Sequence, residues 1–192
     1  MIHARIGLGL SALAATSLAA APPVSSEWLG QAPLPELVIG FQRAEARGMI
    51  VERIPPGETV EQWSRMVTVQ RFADVIARGG TLDEWRGHFL DGLRTGCPGF
   101  RGGEPTQLTV AGRPAMALRI DCPLNPATGR PETFLLLAIA GRSDLHIAQI
   151  AFRHVPSEAE TAWARAQLAS VTLCTPVASA GVCRSGPEAV ER

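Results

Sequence analysis

The sequence predicts an α+β protein in which two helices pack on an antiparallel sheet of about six or seven strands. Apolar residues alternate on both sides of glycine-containing turns, a pattern typical of β-hairpins. Two other segments, 81–95 and 158–172, carry apolar residues at helical spacing behind a capping motif. Because a helix with an apolar face must bury that face, both helices are expected to lie on the sheet.

Hairpins account for most of the predicted strands. The apolar runs 37–41 and 49–54 flank a polar link and predict an antiparallel pair. The phrase Ala-Gly-Arg occurs twice, each time between two alternating apolar stretches. Together with the turn-forming residues 125–129, it predicts a four-strand meander at 106–111, 114–121, 132–140 and 145–154.

Helix starts are marked by the segments 81–84 and 157–160, which both match the capping box. Behind the first, Trp85, Phe89 and Leu93 recur on one helical face. The second helix is expected to end near Cys174, since Pro176 cannot continue it.

The segment between the first hairpin and the first helix is ambiguous. A Pro-Pro-Gly sequence at 55–57 forces a turn, and Thr59 with Gln62 matches a capping box, so one helical turn is expected there. The Val-Thr-Val sequence at 67–69 favours a strand over about 65–71. A helix is the alternative, because Val69, Phe72, Ala73 and Ile76 would share one face.

The amino terminus has the three parts of a secretory signal peptide: a short basic start, an apolar run and small residues before Pro22. We assign 1–20 to the signal peptide, 21–35 to an extended leader, 36–174 to a single domain and 175–192 to a disulfide-tethered tail. A periplasmic or secreted location follows. With 18 basic and 18 acidic residues, the chain has no net charge to attract nucleic acid, and no stable membrane insertion is expected after cleavage.

Four cysteines in an exported chain indicate two disulfides. Three pairings are possible, of which we favour Cys97–Cys122 with Cys174–Cys183. A metal site is the alternative, but the cysteines lack C-x-x-C spacing and a nearby pair of histidines.

Four residues form the candidate surface site, namely Glu58, Glu61, Trp63 and His88. We interpret the two glutamates as solvated acids at a turn and Trp63 as a buried packing anchor. His88 is spaced to pair with Glu84 on the first helix. The familiar hydrolase, zinc, phosphate and dinucleotide motifs are absent from the sequence. No catalytic residue, cofactor or metal ligand is therefore predicted.

Three phrases, at 54–70, 97–99 and 121–134, resemble a group of uncharacterised exported proteobacterial proteins. The order of hairpin, helix, antiparallel sheet and C-terminal helix is similar to the PsbP-like and DcrB-like fold. The resemblance implies a non-enzymatic accessory or binding role and supplies no functional residues.

The leading hypothesis is therefore a non-catalytic exported domain that binds an unknown protein partner or supports envelope assembly. The alternative is a small secreted hydrolase or inhibitor-type effector that uses an exposed acid or histidine. Two acids converging in a deep pocket, or His88 facing Glu61, would favour the alternative.

Overall fold

The structure is a computed structural model that describes residues 27–176 and 181–183. The predicted signal peptide, residues 21–26 of the predicted leader, and residues 177–180 and 184–192 of the predicted tail lie outside the described residues. Within the described ranges, neither helix is long and apolar enough to cross a membrane.

The described chain alternates strands with two α-helices. In chain order the elements are β1 (Trp28–Gly30), β2 (Val38–Glu45), β3 (Gly48–Ile54), β4 (Arg65–Phe72), α1 (Leu82–Gly96), β5 (Arg101–Gly102), β6 (Thr106–Val110), β7 (Arg113–Asn125), β8 (Arg130–Ala140), β9 (Leu145–Phe152), α2 (Glu158–Ser170) and β10 (Thr172–Cys174), followed by a 3₁₀ turn (Gly181–Cys183). The capping boxes predicted at the starts of the two helices are present, at Thr81 with Glu84 and at Ser157 with Glu160.

Eight strands form one antiparallel sheet, which confirms the predicted α+β class. The order is β2-β3-β4-β9-β8-β7-β5, and β6 also pairs with β7. The main sheet exceeds the predicted six or seven strands because the two-residue β5 joins it. A separate two-stranded sheet consists of β1 and β10.

The ambiguous segment 65–71 is a strand, and the helical alternative is wrong. As β4 it lies inside the sheet, paired with β3 on one side and β9 on the other. Residues 66–69 are all buried. Hydrogen bonding on both sides and burial on both faces thus outweigh the helical spacing of its apolar residues.

The two helices cover opposite faces of the sheet. Successive residues of a strand point to opposite faces. Accordingly Leu135 packs in a cluster with Ala164 of α2, whereas Leu136 packs in a cluster with Leu82 of α1. Burial on both faces explains why β8 is apolar without alternation over residues 134–140.

The second helix ends at Ser170, four residues before the predicted end near Cys174. Val171 is already extended, with φ −69° and ψ 132°, and the next three residues pair with β1. Pro176 was therefore not the stop signal, because pairing with β1 comes first. The predicted leader thus contains a strand, and its Leu34 is buried in the core cluster beneath α2.

The structure joins Cys97 to Cys122 and Cys174 to Cys183, with Cα–Cα distances of 5.9 Å and 5.5 Å. This is the pairing that we favour from the sequence. The first disulfide ties the end of α1 to β7, and the second ties β10 to the 3₁₀ turn.

Peptide mapping of the native exported protein without reductant should recover these two linked pairs. All four cysteine side chains should resist alkylation until a reductant is added, because buried structural disulfides are stable in an oxidising compartment. Recovery of four alkylated cysteines from the unreduced native protein would contradict both the pairing and the inferred compartment.

Candidate functional site

The loop 55–64 closes around Trp63 without forming the helical turn predicted after Thr59. Glu58 N donates to Pro55 O at 3.2 Å, which closes the Pro-Pro-Gly turn. Thr59 and Gln62 then bond to each other in both directions, at 3.2 Å and 3.0 Å between backbone N and O. This reciprocal pairing makes a tight loop in place of a helical repeat.

Trp63 is buried, in accordance with its predicted role as a packing anchor. Its side chain packs in one cluster with Ile54, Met66 and Ala151, and only 8% of the residue is exposed. The guanidinium of Arg153 lies 4.0 Å from the centroid of the indole ring. One face of the indole therefore contacts a cation, while the rest fills the core.

The two glutamates of the loop differ in what they bind. The carboxylate of Glu58 accepts hydrogen bonds from Ser64 N and Ser64 Oγ, both at 2.7 Å. Glu61 is exposed, and its backbone oxygen accepts from Nη1 of Arg153 at 2.7 Å. Both line a cleft of about 450 Å³ together with Arg130. Glu58 therefore closes its own loop, and the two acids do not form a convergent acid–base pair.

Arg153, which lines this cleft, forms a buried ion pair with Glu132. Arg153 Nε donates to Glu132 Oε1 at 3.1 Å, and Asn125 Nδ2 donates to Glu132 Oε2 at 3.0 Å. The side chains of Arg153 and Glu132 are only 13% and 5% exposed. Sequence reasoning missed this pair, because the two residues lie 21 positions apart and follow no motif.

His88 lies apart from the other three residues of the candidate surface site. It is exposed on α1, which packs on β7 and β8, and it does not line the cleft of Glu58 and Glu61. The four residues therefore do not form a single site.

The outer edge of β2, which we call the β2 edge, exposes apolar side chains that sequence reasoning did not single out. Val38, Ile39 and Phe41 are 46%, 50% and 39% exposed. Among the described residues, β2 pairs only with β3, and a bulge interrupts this pairing between Ile39 and Phe41. The apolar pattern predicted the strand, but its position at the edge depends on the strand order.

A second surface feature is a groove of about 830 Å³ between α2 and the outer strands β6 and β7, which we call the α2 groove. Its apolar lining includes Leu108, Val110, Ala117, Leu135, Leu137, Leu168 and Ala169. Arg119, Arg165 and Glu104 also line it. This volume lies in the range of about 300–1,000 Å³ that is typical of ligand sites.

Arg119 is held in place at the α2 groove by Asp121. Its Nε and Nη2 donate to the two carboxylate oxygens of Asp121, each at 2.9 Å in the shortest contacts. The pKa of Asp121 is lowered and that of Arg119 is raised, in each case chiefly by their hydrogen bond. Both groups are therefore charged at neutral pH.

A buried polar cluster surrounds His146 in β9, where 1% of the residue is exposed. Burial lowers the pKa of His146 to about 4, although Asp144 and Glu27 favour its charged form, and Arg71 lowers the pKa further. Asp144 accepts from Arg71 Nη1 at 2.8 Å and from Asp74 N at 2.9 Å. Within the described part of the chain, no three His, Cys, Asp or Glu residues are placed to hold a metal ion.

No protein-family model and no curated protein sequence matches this chain. Several solved structures are similar. A Pseudomonas aeruginosa protein of unknown function shares 17% identity over 72% of this chain and 92% of its own, with a TM-score of 0.44. The Ran-binding protein Mog1p of Saccharomyces cerevisiae shares 10% sequence identity over 74% of this chain and 88% of its own, with a TM-score of 0.46. LpqN of Mycobacterium tuberculosis, which is involved in cell envelope biogenesis, shares 14% sequence identity over 79% of this chain and 85% of its own, with a TM-score of 0.41.

These similarities concern the fold alone, and no function or residue role is transferred from these proteins to this chain. The sequence resemblance to a group of uncharacterised exported proteobacterial proteins stays a prediction. No match in sequence supports that particular group.

Proposed function

We propose that this chain is a non-catalytic exported domain that binds a protein partner or supports envelope assembly, and that the β2 edge is the partner surface. The observation that carries the proposal is the exposure of Val38, Ile39 and Phe41 next to one another on an edge strand. Exposed apolar residues on a sheet edge are typical of surfaces that pair with another chain.

Export is supported by the two disulfides, since structural disulfides are typical of oxidising compartments. It is also supported by the signal-peptide pattern of residues 1–20, which lie outside the described residues. A periplasmic or secreted location belongs to the same proposal.

A non-catalytic role is supported by the geometry of the acids that the sequence singled out. Both carboxylate oxygens of Glu58 accept from Ser64, and His88 lies away from the cleft that Glu61 lines. The buried pair of Arg153 and Glu132 fixes the surrounding loops, which is a structural task.

The partner fitted by the β2 edge is an extended segment of another protein that adds a strand beside β2. In strand addition, backbone hydrogen bonds supply affinity and alternate side chains supply specificity. Apolar side chains of the added strand would cover Val38, Ile39 and Phe41. The bulge and the ion pair of Arg43 with Glu45 limit the length of edge open for pairing, which disfavours indiscriminate association.

The test begins with a photo-crosslinking residue placed at position 41 of the exported chain in cells of the native host. Crosslinking is expected from position 41 and not from position 88 on α1. The captured protein is then purified, and its binding to the exported chain is measured. Phe41→Lys is expected to weaken binding at least tenfold, because it places a charge among the buried apolar groups of the interface.

Leu124→Lys is the matched control, since Leu124 is 54% exposed on β7, which lies toward the opposite edge of the sheet from β2. This control should leave the affinity within twofold of the original chain. Equal binding by Phe41→Lys and the original chain would overturn the assignment of the β2 edge.

A further inference from the structure

We propose that the α2 groove is a binding site for a medium-length acyl chain with an anionic head group. The site lies beside β6 and β7, across the sheet from the β2 edge, and does not depend on the protein partner proposed there. The proposal rests on the apolar lining of the groove and on the placement of two arginines toward one end.

The apolar part of the groove is continuous from the sheet to the helix. Leu135 and Leu137 of β8 are buried beneath it, Leu168 of α2 forms one side, and Leu108 and Val110 of β6 form the other. Leu108 remains 37% exposed, so a ligand in the groove would remove its apolar surface from water. Transfer of apolar surface from water supplies the affinity for a hydrocarbon chain.

Both arginines lie toward the same end of the groove. The helix runs along β8, since Ala164 packs in a cluster with Leu135, whereas Val171 packs in a cluster with Leu137. Arg165 therefore lies at the Leu135 end, and Arg119 is the partner of Leu135 in the β7–β8 register. An acyl chain would thus point its head toward Arg119 and Arg165 and its tail toward Val110.

The guanidinium groups at this end keep donors for a head group. Asp121 engages Arg119 through Nε and Nη2 alone, and Arg165 makes no ion pair with the described residues. Arginine donors bind carboxylate and phosphate oxygens well. The one acid that lines the groove, Glu104, is exposed and would repel an anion. Its removal should therefore strengthen binding.

The dimensions of the walls limit the length of the chain. From Arg165 to its end at Ser170 the helix rises about 7.5 Å, and β6 extends about 13 Å from Thr106 to Val110. A medium-length acyl chain matches this span, whereas a long one would extend beyond the groove.

Calorimetric titration of the exported chain with decanoate, decyl phosphate and decanol tests the proposal. All three probes are used below the concentrations at which they form micelles. Tighter binding of either anion than of decanol is expected, and the tighter anion identifies a carboxylate or a phosphate head. Affinity should increase up to about fourfold for each methylene between hexanoate and decanoate. Equal affinity for decanol and both anions, or no saturable binding, would overturn the proposal.

Variants then locate the ligand. Arg165→Gln is expected to weaken decanoate binding about threefold to tenfold and Glu104→Gln to strengthen it about twofold, through opposite changes in charge. Ala169→Trp should abolish binding by filling the groove, and circular dichroism verifies that this variant is folded. The control is Arg94→Gln, which removes an exposed arginine of α1 on the opposite face. An affinity that responds equally to Arg94→Gln and Arg165→Gln would contradict the site.

Discussion

Replacing Trp63 with alanine is expected to lower the free energy of unfolding by about 3–5 kcal/mol. The indole is 8% exposed and fills the space between Ile54, Met66 and Ala151, so truncation leaves a cavity in this cluster. It also removes the ring beneath the guanidinium of Arg153. Urea denaturation of the original chain and the variant measures the difference.

Two exchanges in the same loop serve as controls. Glu61→Gln should change the free energy of unfolding by less than about 0.5 kcal/mol, because the side chain is exposed. The sequence gives the same expectation for Glu58. From the structure we expect Glu58→Gln to lower the free energy of unfolding by about 1 kcal/mol, because the Glu58 carboxylate accepts two hydrogen bonds from Ser64. If Trp63→Ala left stability unchanged but abolished binding to a partner, the loop would be a recognition surface.

Local patterns were sufficient for most elements of the fold. Capping boxes at Thr81 and Ser157 marked both helix starts, since the capping interactions lie within four consecutive residues. Apolar runs separated by turn-forming residues marked the hairpin strands for a similar reason, because each run and its turn also lie close together in the sequence. The ambiguous β4 was decided by neighbours far away in sequence, namely β3 and β9.

Features that depend on pairing between distant segments were not predictable from local patterns. The strand β1 lies in the predicted leader because Trp28–Gly30 pairs with Thr172–Cys174, more than 140 residues later. This pairing also ends α2 early. Three residues are too few to show a strand period, so neither segment carried a readable signal.

The same contrast between local patterns and contacts of distant segments applies to the candidate sites. Trp63 could be predicted as a packing anchor, because an indole beside a rigid turn supplies apolar area to bury. The β2 edge and the α2 groove could not be predicted from the sequence, because each depends on which strands lie next to one another in the sheet. Asp144 illustrates the difference. Its carboxylate accepts from the backbone N of Asp74, which lies 70 positions earlier in the chain.

His146 is expected to make the stability of the fold depend on pH between about 6.5 and 4. Burial holds its pKa at about 4 in the folded protein, against 6.5 in the unfolded chain. In this window the unfolded chain binds the extra proton, so the free energy of unfolding falls as the pH falls. The full loss amounts to about 3 kcal/mol and is complete below the folded pKa. Urea denaturation across this pH range measures the slope.

The variant His146→Gln isolates this contribution. Glutamine does not titrate, so the variant should have a flatter pH profile between 6.5 and 4, whatever its absolute stability. His88→Gln is the matched control, because it removes an exposed histidine of α1 and should leave the slope unchanged. Groups that face His146 include Asp144, Glu27 and Arg71, and all three remain in both variants. Parallel profiles for the original chain and His146→Gln would therefore show that the acid sensitivity arises elsewhere.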